Sequence, residues 1–174
     1  MTANRTLAPP DATASEEGDI KVFTVVSGGE RMGLPISCVQ TIFRIGKVTS
    51  VPRASREIVG LINLRGKINT ATSLRRILGM PDEKSYDNAL AICIEHHDEQ
   101  FALIVDEIGD VISVPSSFRI QEPPNVDPKR AAVTSGVFRL ENEILPVLNI
   151  DALLDFDHGS PRVARTSRHD GVPA

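Results

Sequence analysis

The 174-residue chain has no tryptophan, one tyrosine and six phenylalanines, so aromatic residues make up only 4% of it. That scarcity removes the stacking platforms on which single-stranded nucleic acid is held and leaves Ile, Leu, Val and Ala to build a core. A basic excess is missing too. Nineteen Lys and Arg stand against 23 Asp and Glu, a formal charge of -4, which offers no field to attract phosphate backbones or anionic lipid. Long hydrophobic runs are absent: the longest, residues 89–94, is far too short to span a bilayer. The first 18 residues contain no apolar run of the kind a signal peptide needs. These absences point to a cytoplasmic protein with no nucleic-acid partner and no direct membrane insertion. Cysteine is scarce as well. Cys38 and Cys93 lie far apart in apolar stretches and read as small buried hydrophobes in a reducing compartment, with a disulfide left open at this level.

What is present is a globular composition, 41% hydrophobic and 24% charged, in a length that suits one ordinary domain or two very small ones. Residues 1–18 and 157–174 are poor in bulky apolar side chains and read as flexible tails. Between them, over residues 19–156, short apolar runs alternate with turn signals, so the middle is expected to be mainly β. Residues 20–26 and 32–36 flank Ser27-Gly28-Gly29-Glu30, and residues 89–94 and 101–105 flank His96-His97-Asp98-Glu99: two hairpins. Residues 58–64 and 67–72 flank a tight turn at Arg65-Gly66, followed by Ser73 as an N-cap, a short helix over 74–78 and Gly79 as its stop. Residues 133–140 and 144–148 flank Glu141-Asn142, and Asn149 then caps a short helix over 150–154.

The similarity of these units points to an internal repeat. Gly60, Leu61, Ile62, Leu64, Ile68 and Leu78 align at one constant offset with Gly136, Val137, Phe138, Leu140, Ile144 and Leu154. Leu34, Ile36, Val39 and Ile42 align with Leu103, Val105, Ile108 and Val111 at a slightly shorter one, extra residues around 121–130 making up the difference. The repeat implies two tandem, interleaved lobes of about five short strands, roughly residues 19–85 and 86–156, each closed as a small barrel, with a groove between them.

No catalytic apparatus accompanies this pattern. The stretch from Gly60 to Lys67 is one residue too long for a phosphate loop, and Ile68 stands where Ser or Thr must bind magnesium. Gly28, Gly29 and Gly33 precede a strand, not a helix whose N-terminus could face a pyrophosphate. His96 and His97 are adjacent, so on a strand they face opposite sides and cannot share a metal without a turn between them. Asp106 and Glu107 likewise diverge on a strand and make no carboxylate pair, while His158 and His169 fall in the C-terminal tail. No enzyme activity, metal or cofactor is expected. Arg65, in an exposed turn between strong strands, is the residue best placed to offer its planar fork to a partner's carboxylate or carbonyl.

Gly60-Leu61-Ile62-Asn63-Leu64-Arg65-Gly66 resembles the most recognisable motif of the CheW-like family of bacterial chemotaxis coupling proteins. Leu34-Pro35, Val39, Ile42, Val51-Pro52 and Leu74-Arg75 are similar to the family's first lobe. Val105-Asp106 and Ile144-Leu145-Pro146-Val147-Leu148 with Leu153 are similar to its second. The resemblance implies two SH3-like five-stranded barrels and a scaffold without an active site. It also implies a role bridging the cytoplasmic tips of methyl-accepting chemoreceptors to the regulatory domain of a CheA-type histidine kinase. On that basis Val39, Thr41, Ile42, Arg65 and Gly66 fall in the coupling surface. The chain departs from the family pattern with Thr41 where glutamate is common, Thr70 where proline is usual and Ser73 where aspartate is usual. Two other readings stand beside this one: a small β-barrel protein binding a ligand or metal through His96, His97 and Asp98, and a stand-alone module that competes for a kinase regulatory domain.

Overall fold

The computed structural model describes residues 18–156 except Lys84; the expected tails, with His158 and His169, lie outside the described residues apart from Gly18. Among the described residues, eleven strands and three short α-helices follow one another in a largely β arrangement. Strands β1 (Asp19–Ser27) and β2 (Glu30–Pro35) form the first hairpin, and a single 3-10 turn at Ile36–Cys38 leads to β3 (Val39–Arg44). Then come β4 (Ile58–Leu64), β5 (Lys67–Ser73) and α1 (Leu74–Ile77). The second half runs β6 (Leu90–His96), β7 (Glu99–Val105), β8 (Glu107–Pro115), β9 (Arg119–Ile120), α2 (Pro128–Ala132), β10 (Thr134–Arg139), β11 (Ile144–Leu148) and α3 (Ile150–Leu154).

Turn chemistry sets these boundaries. Gly28-Gly29, Arg65-Gly66 and His97-Asp98 all adopt positive φ, so each joins its strands in the two-residue geometry that matches strand twist. The expected caps are in place: Ser73 Oγ accepts from the Arg76 N–H at 3.3 Å, and Asn149 Oδ1 accepts from the Ala152 N–H at 3.3 Å. Gly60 permits a close backbone approach, because a Cβ there would sit 2.4 Å from the Thr49 carbonyl oxygen. Helix α2 was not expected, although Asp127 ahead of Pro128 is an N-cap followed by proline at the first helical position.

The strands form two sheets, of six strands in the order β8-β1-β2-β11-β10-β9 and of five in the order β3-β6-β7-β5-β4. Exchanging the first half of the repeat for the second converts one order into the other. The parallel pair β2/β11 corresponds to β7/β5, and only the two-residue β9 has no counterpart. Each sheet therefore takes its leading hairpin from one half of the chain and its edge strand and closing hairpin from the other. The expected division at 85/86 does not coincide with the sheets: β3 to β7 make one, and β1, β2 and β8 to β11 make the other.

Side-chain alternation then builds three cores. On the leading hairpins, Val22 faces a core with Val114, Phe138, Leu145 and Val147 inside one sheet. Ala91, Ala102 and Ile104 face a core with Ile45, Ile62 and Ala71 inside the other. The opposite faces, carrying Phe23, Val25, Leu34, Ile92, Ile94 and Leu103, meet between the sheets, where Leu74 and Leu78 of α1 and Leu153 and Leu154 of α3 complete a shared core. The groove expected between the lobes is thus largely filled by apolar packing. An open cleft of about 400 Å³ remains at one side of the seam, lined by Ser37, Cys38, His96, Ser135, Asn149 and Asp151 among others.

Candidate functional site

The five candidate coupling residues fall in two groups. Val39, Thr41 and Ile42 lie on β3, which pairs with β6 through Val39↔Ile94, Thr41↔Cys93 and Ile42↔Ile92, with a bulge between Val39 and Thr41. The bulge separates Val39, packed on the shared core, from Phe43, packed on the core of its own sheet. Ile42 points out of the sheet and is 43% exposed. Its exposed neighbours on β3 are polar: Gln40 hydrogen-bonds Glu95, and Arg44 donates to the Asn88 carbonyl at 2.9 Å.

Arg65 and Gly66 form the tip of the β4–β5 hairpin. Arg65 has φ +53° and Gly66 +81°, and the Gly66 N–H donates to Asn63 Oδ1 at 2.8 Å, which pins the turn. Asn63 in the motif is therefore a turn-forming residue. Arg65 is exposed, and no hydrogen bond or ion pair holds its guanidinium among the described residues. β3 and β4 lie at opposite ends of their sheet's strand order, so the fold does not join the two groups through strand pairing.

The structure adds residues that sequence reasoning did not single out as surface. Val111, Ile68 and Ile144 are 54%, 64% and 48% exposed. Ile42 and Val111 are equivalent in the repeat, as are Ile68 and Ile144. Each sheet thus presents one exposed apolar residue on its end strand, β3 or β8, and one on its closing hairpin, β5 or β11. The repeat alignment contained all four. What it lacked was the face each occupies, since a shared apolar position reads equally as core.

The cysteines are both free. Burial pushes the Cys38 thiol up to about 11, and its Sγ donates to the Pro35 carbonyl. Burial also raises the pKa of Cys93, which lies beside the buried Asn69. Neither is poised as a thiolate nucleophile. Asp106 is taken up by a half-buried ion pair: Arg75 reaches it through Nε at 2.9 Å and Nη2 at 2.7 Å, and the Gly28 N–H donates to it at 2.7 Å. Glu107 is exposed on β8, so the two carboxylates do not form a pair.

The histidines differ from expectation. His96 ends β6, but His97 sits in the turn at φ +48°, which brings the two rings to 4.0 Å between centroids. Asp151 of α3 approaches them, 3.4 Å from His96 Nδ1 and 3.8 Å from His97 Nε2. Asp151 thus forms a three-residue cluster with the pair, a carboxylate the sequence did not place there. Burial, and then the neighbouring His97, hold the His96 pKa below its ordinary value.

The sequence matches the CheW-like domain over residues 21–158, and the chain belongs to that family. It is 29% identical over 143 residues to the chemotaxis protein CheW of Bacillus subtilis (strain 168), covering 82% of this chain and 92% of the relative. It is 29% identical over 149 residues to the chemotaxis protein CheW of Treponema pallidum (strain Nichols), covering 83% and 86%. The fold is that of the scaffolding protein TtCheW from Thermoanaerobacter tengcongensis, with a TM-score of 0.71 at 24% identity over 83% of this chain and 97% of that one. The family is one of non-catalytic chemotaxis scaffolds, and the chain is an adapter of that kind, not an enzyme. No helix among the described residues is long and apolar enough to cross a membrane.

Proposed function

We propose that this adapter works in the cytoplasm at membrane receptor arrays, coupling the cytoplasmic tip of a methyl-accepting chemoreceptor to the regulatory domain of a CheA-type histidine kinase. The observation that carries the reading is the duplicated exposed apolar position on the end strands, Ile42 at 43% and Val111 at 54% exposed. A protein that holds two partners at once needs two apolar docking points on a rigid frame, and the exchanged halves of this fold supply equivalent ones on both sheets. Val39 and Thr41 shape the first surface beside Ile42. Arg65 offers an uncommitted, planar guanidinium suited to a carboxylate or carbonyl at the rim, and Gly66 allows the pinned turn that presents it.

The test is a pull-down of the purified chain against a CheA-type regulatory domain and a receptor-tip fragment from the same cell, at physiological salt. The wild type is expected to retain both. Arg65→Glu should weaken binding by about 2 kcal/mol, the scale of an interface hot spot, while circular dichroism stays unchanged. Undiminished binding by a folded Arg65→Glu variant would remove Arg65 from the coupling surface, and retention of neither partner by the wild type would overturn the bridging role.

A further inference from the structure

The corner where the β6–β7 turn meets the start of α3 gathers two imidazoles and a carboxylate. We propose that His96, His97 and Asp151 bind one divalent transition-metal ion of the zinc class at the rim of the seam cleft. One donor atom from each residue lies within 4.8 Å of the other two. The separations of 3.4 and 3.8 Å from Asp151 Oδ1 to the two ring nitrogens are long for N–H···O hydrogen bonds, which centre on about 2.9 Å. They are close to the edge of a tetrahedron: bonds of about 2.0–2.1 Å from zinc to nitrogen and oxygen place ligand atoms roughly 3.3 Å apart.

The donor set selects the ion. Calcium and magnesium are bound through oxygen, whereas two imidazoles with one carboxylate suit zinc, cobalt or nickel. Adjacent histidines ordinarily cannot share an ion because strand neighbours diverge. The left-handed φ of His97 removes that obstacle by turning its ring back beside His96. Three protein ligands leave a fourth position, and the cleft that His96 and Asp151 help to line gives water or another donor access to it. The ion would tie the turn after β6, in one sheet, to the helix that follows β11, in the other.

The test titrates the full chain, freed of metal with a chelator and dialysed, with Zn²⁺ alone by calorimetry and with Co²⁺ by visible absorption. One equivalent should bind, with the intense visible bands of tetrahedral cobalt. Even outer-shell partners are worth 10–100-fold in metal affinity, so Asp151→Asn and His97→Gln should each weaken binding by at least about tenfold. Both sites are exposed, so both variants should stay folded. Asp98→Asn should leave the affinity unchanged. Absence of binding by the wild type, unchanged affinity in Asp151→Asn, or loss in Asp98→Asn instead would overturn the proposal.

Discussion

The two equivalent corners of the repeat are built differently. At each, a two-residue turn with positive φ, Gly28-Gly29 or His97-Asp98, lies near the first turn of a capped helix, α1 or α3. The repeat pairs Arg75 with Asp151, Asp106 with Ser37, and Gly28 with His97. In the first corner these residues close on one another, since Asp106 accepts from both the Arg75 guanidinium and the Gly28 N–H. In the second, Ser37 offers no charge, Asp151 reverses the sign of Arg75, and the cleft opens between them. A duplicated frame can thus keep one corner as a fastening and release the other for binding, because the shared core beneath both does not depend on either.

That asymmetry extends to the helices. Leu74, which opens α1, is fully buried, while its equivalent Ile150 only packs against the edge of the shared core. Leu74→Ala should therefore cost about 2–5 kcal/mol, the range for truncating a buried leucine. Ile150→Ala should cost roughly 1–2 kcal/mol, since less apolar area returns to water. Urea denaturation of the two variants would measure both, and equal losses would break the distinction between a fastened and a loose corner.

The carboxylates give a smaller contrast. Asp106→Ala leaves a half-buried arginine and a turn N–H without their acceptor, a loss of about 1–3 kcal/mol. Arg75 keeps a second contact to Glu83, which tempers the effect. Asp151→Ala, at an exposed site, should stay within about 0.5 kcal/mol in metal-free protein. A comparable loss at both positions would mean that the second corner is fastened by Asp151 after all.

How much of this was legible in the sequence follows from the range of each signal. The hairpins, the caps at Ser73 and Asn149 and the stop at Gly79 rest on local chemistry, and they stand where the residues put them. The repeat was visible because equivalent residues do equivalent work in the two halves. Which strands the interleaved lobes exchange was not, because the pattern of β3 or β8 states which side chains are apolar and not which hairpin they pair with. That choice placed the sheet boundaries away from 85/86 and filled the groove with the outward faces of β1, β2, β6 and β7. α2 was missed because it starts inside the stretch around 121–130 that read as extra loop, although Asp127-Pro128 marked the helix start, and the two-residue β9 just ahead of that stretch was not anticipated either. The His96, His97 and Asp151 cluster needed two things that spacing does not carry: the left-handed φ of His97 and the arrival of α3 from another part of the chain.

The smallest expected effect separates stability from binding at the closing hairpins. Arg65 and Glu141 are equivalent, yet Arg65 sits at φ +53° while Glu141 is not among the positive-φ residues. Both turns hold two residues between paired neighbours, Leu64 with Lys67 and Leu140 with Glu143, whose carbonyl accepts from the Leu140 N–H, but only the β4–β5 turn adopts the left-handed conformation. An asparagine would be easier to hold than arginine in a two-residue turn whose second residue is already glycine. Arg65→Asn should therefore raise stability by about 0.5 kcal/mol, whereas Glu141→Asn should move it by less than about 0.3 kcal/mol. The same Arg65→Asn variant loses the guanidinium, so in the pull-down it should hold its partners less well than the wild type despite being more stable. A left-handed arginine where asparagine would suit the turn better is the local strain expected of a residue that serves contact more than folding. If Arg65→Asn proved both more stable and equally adhesive, Arg65 would be reduced to an ordinary turn residue, and the proposed coupling surface would rest on β3 alone.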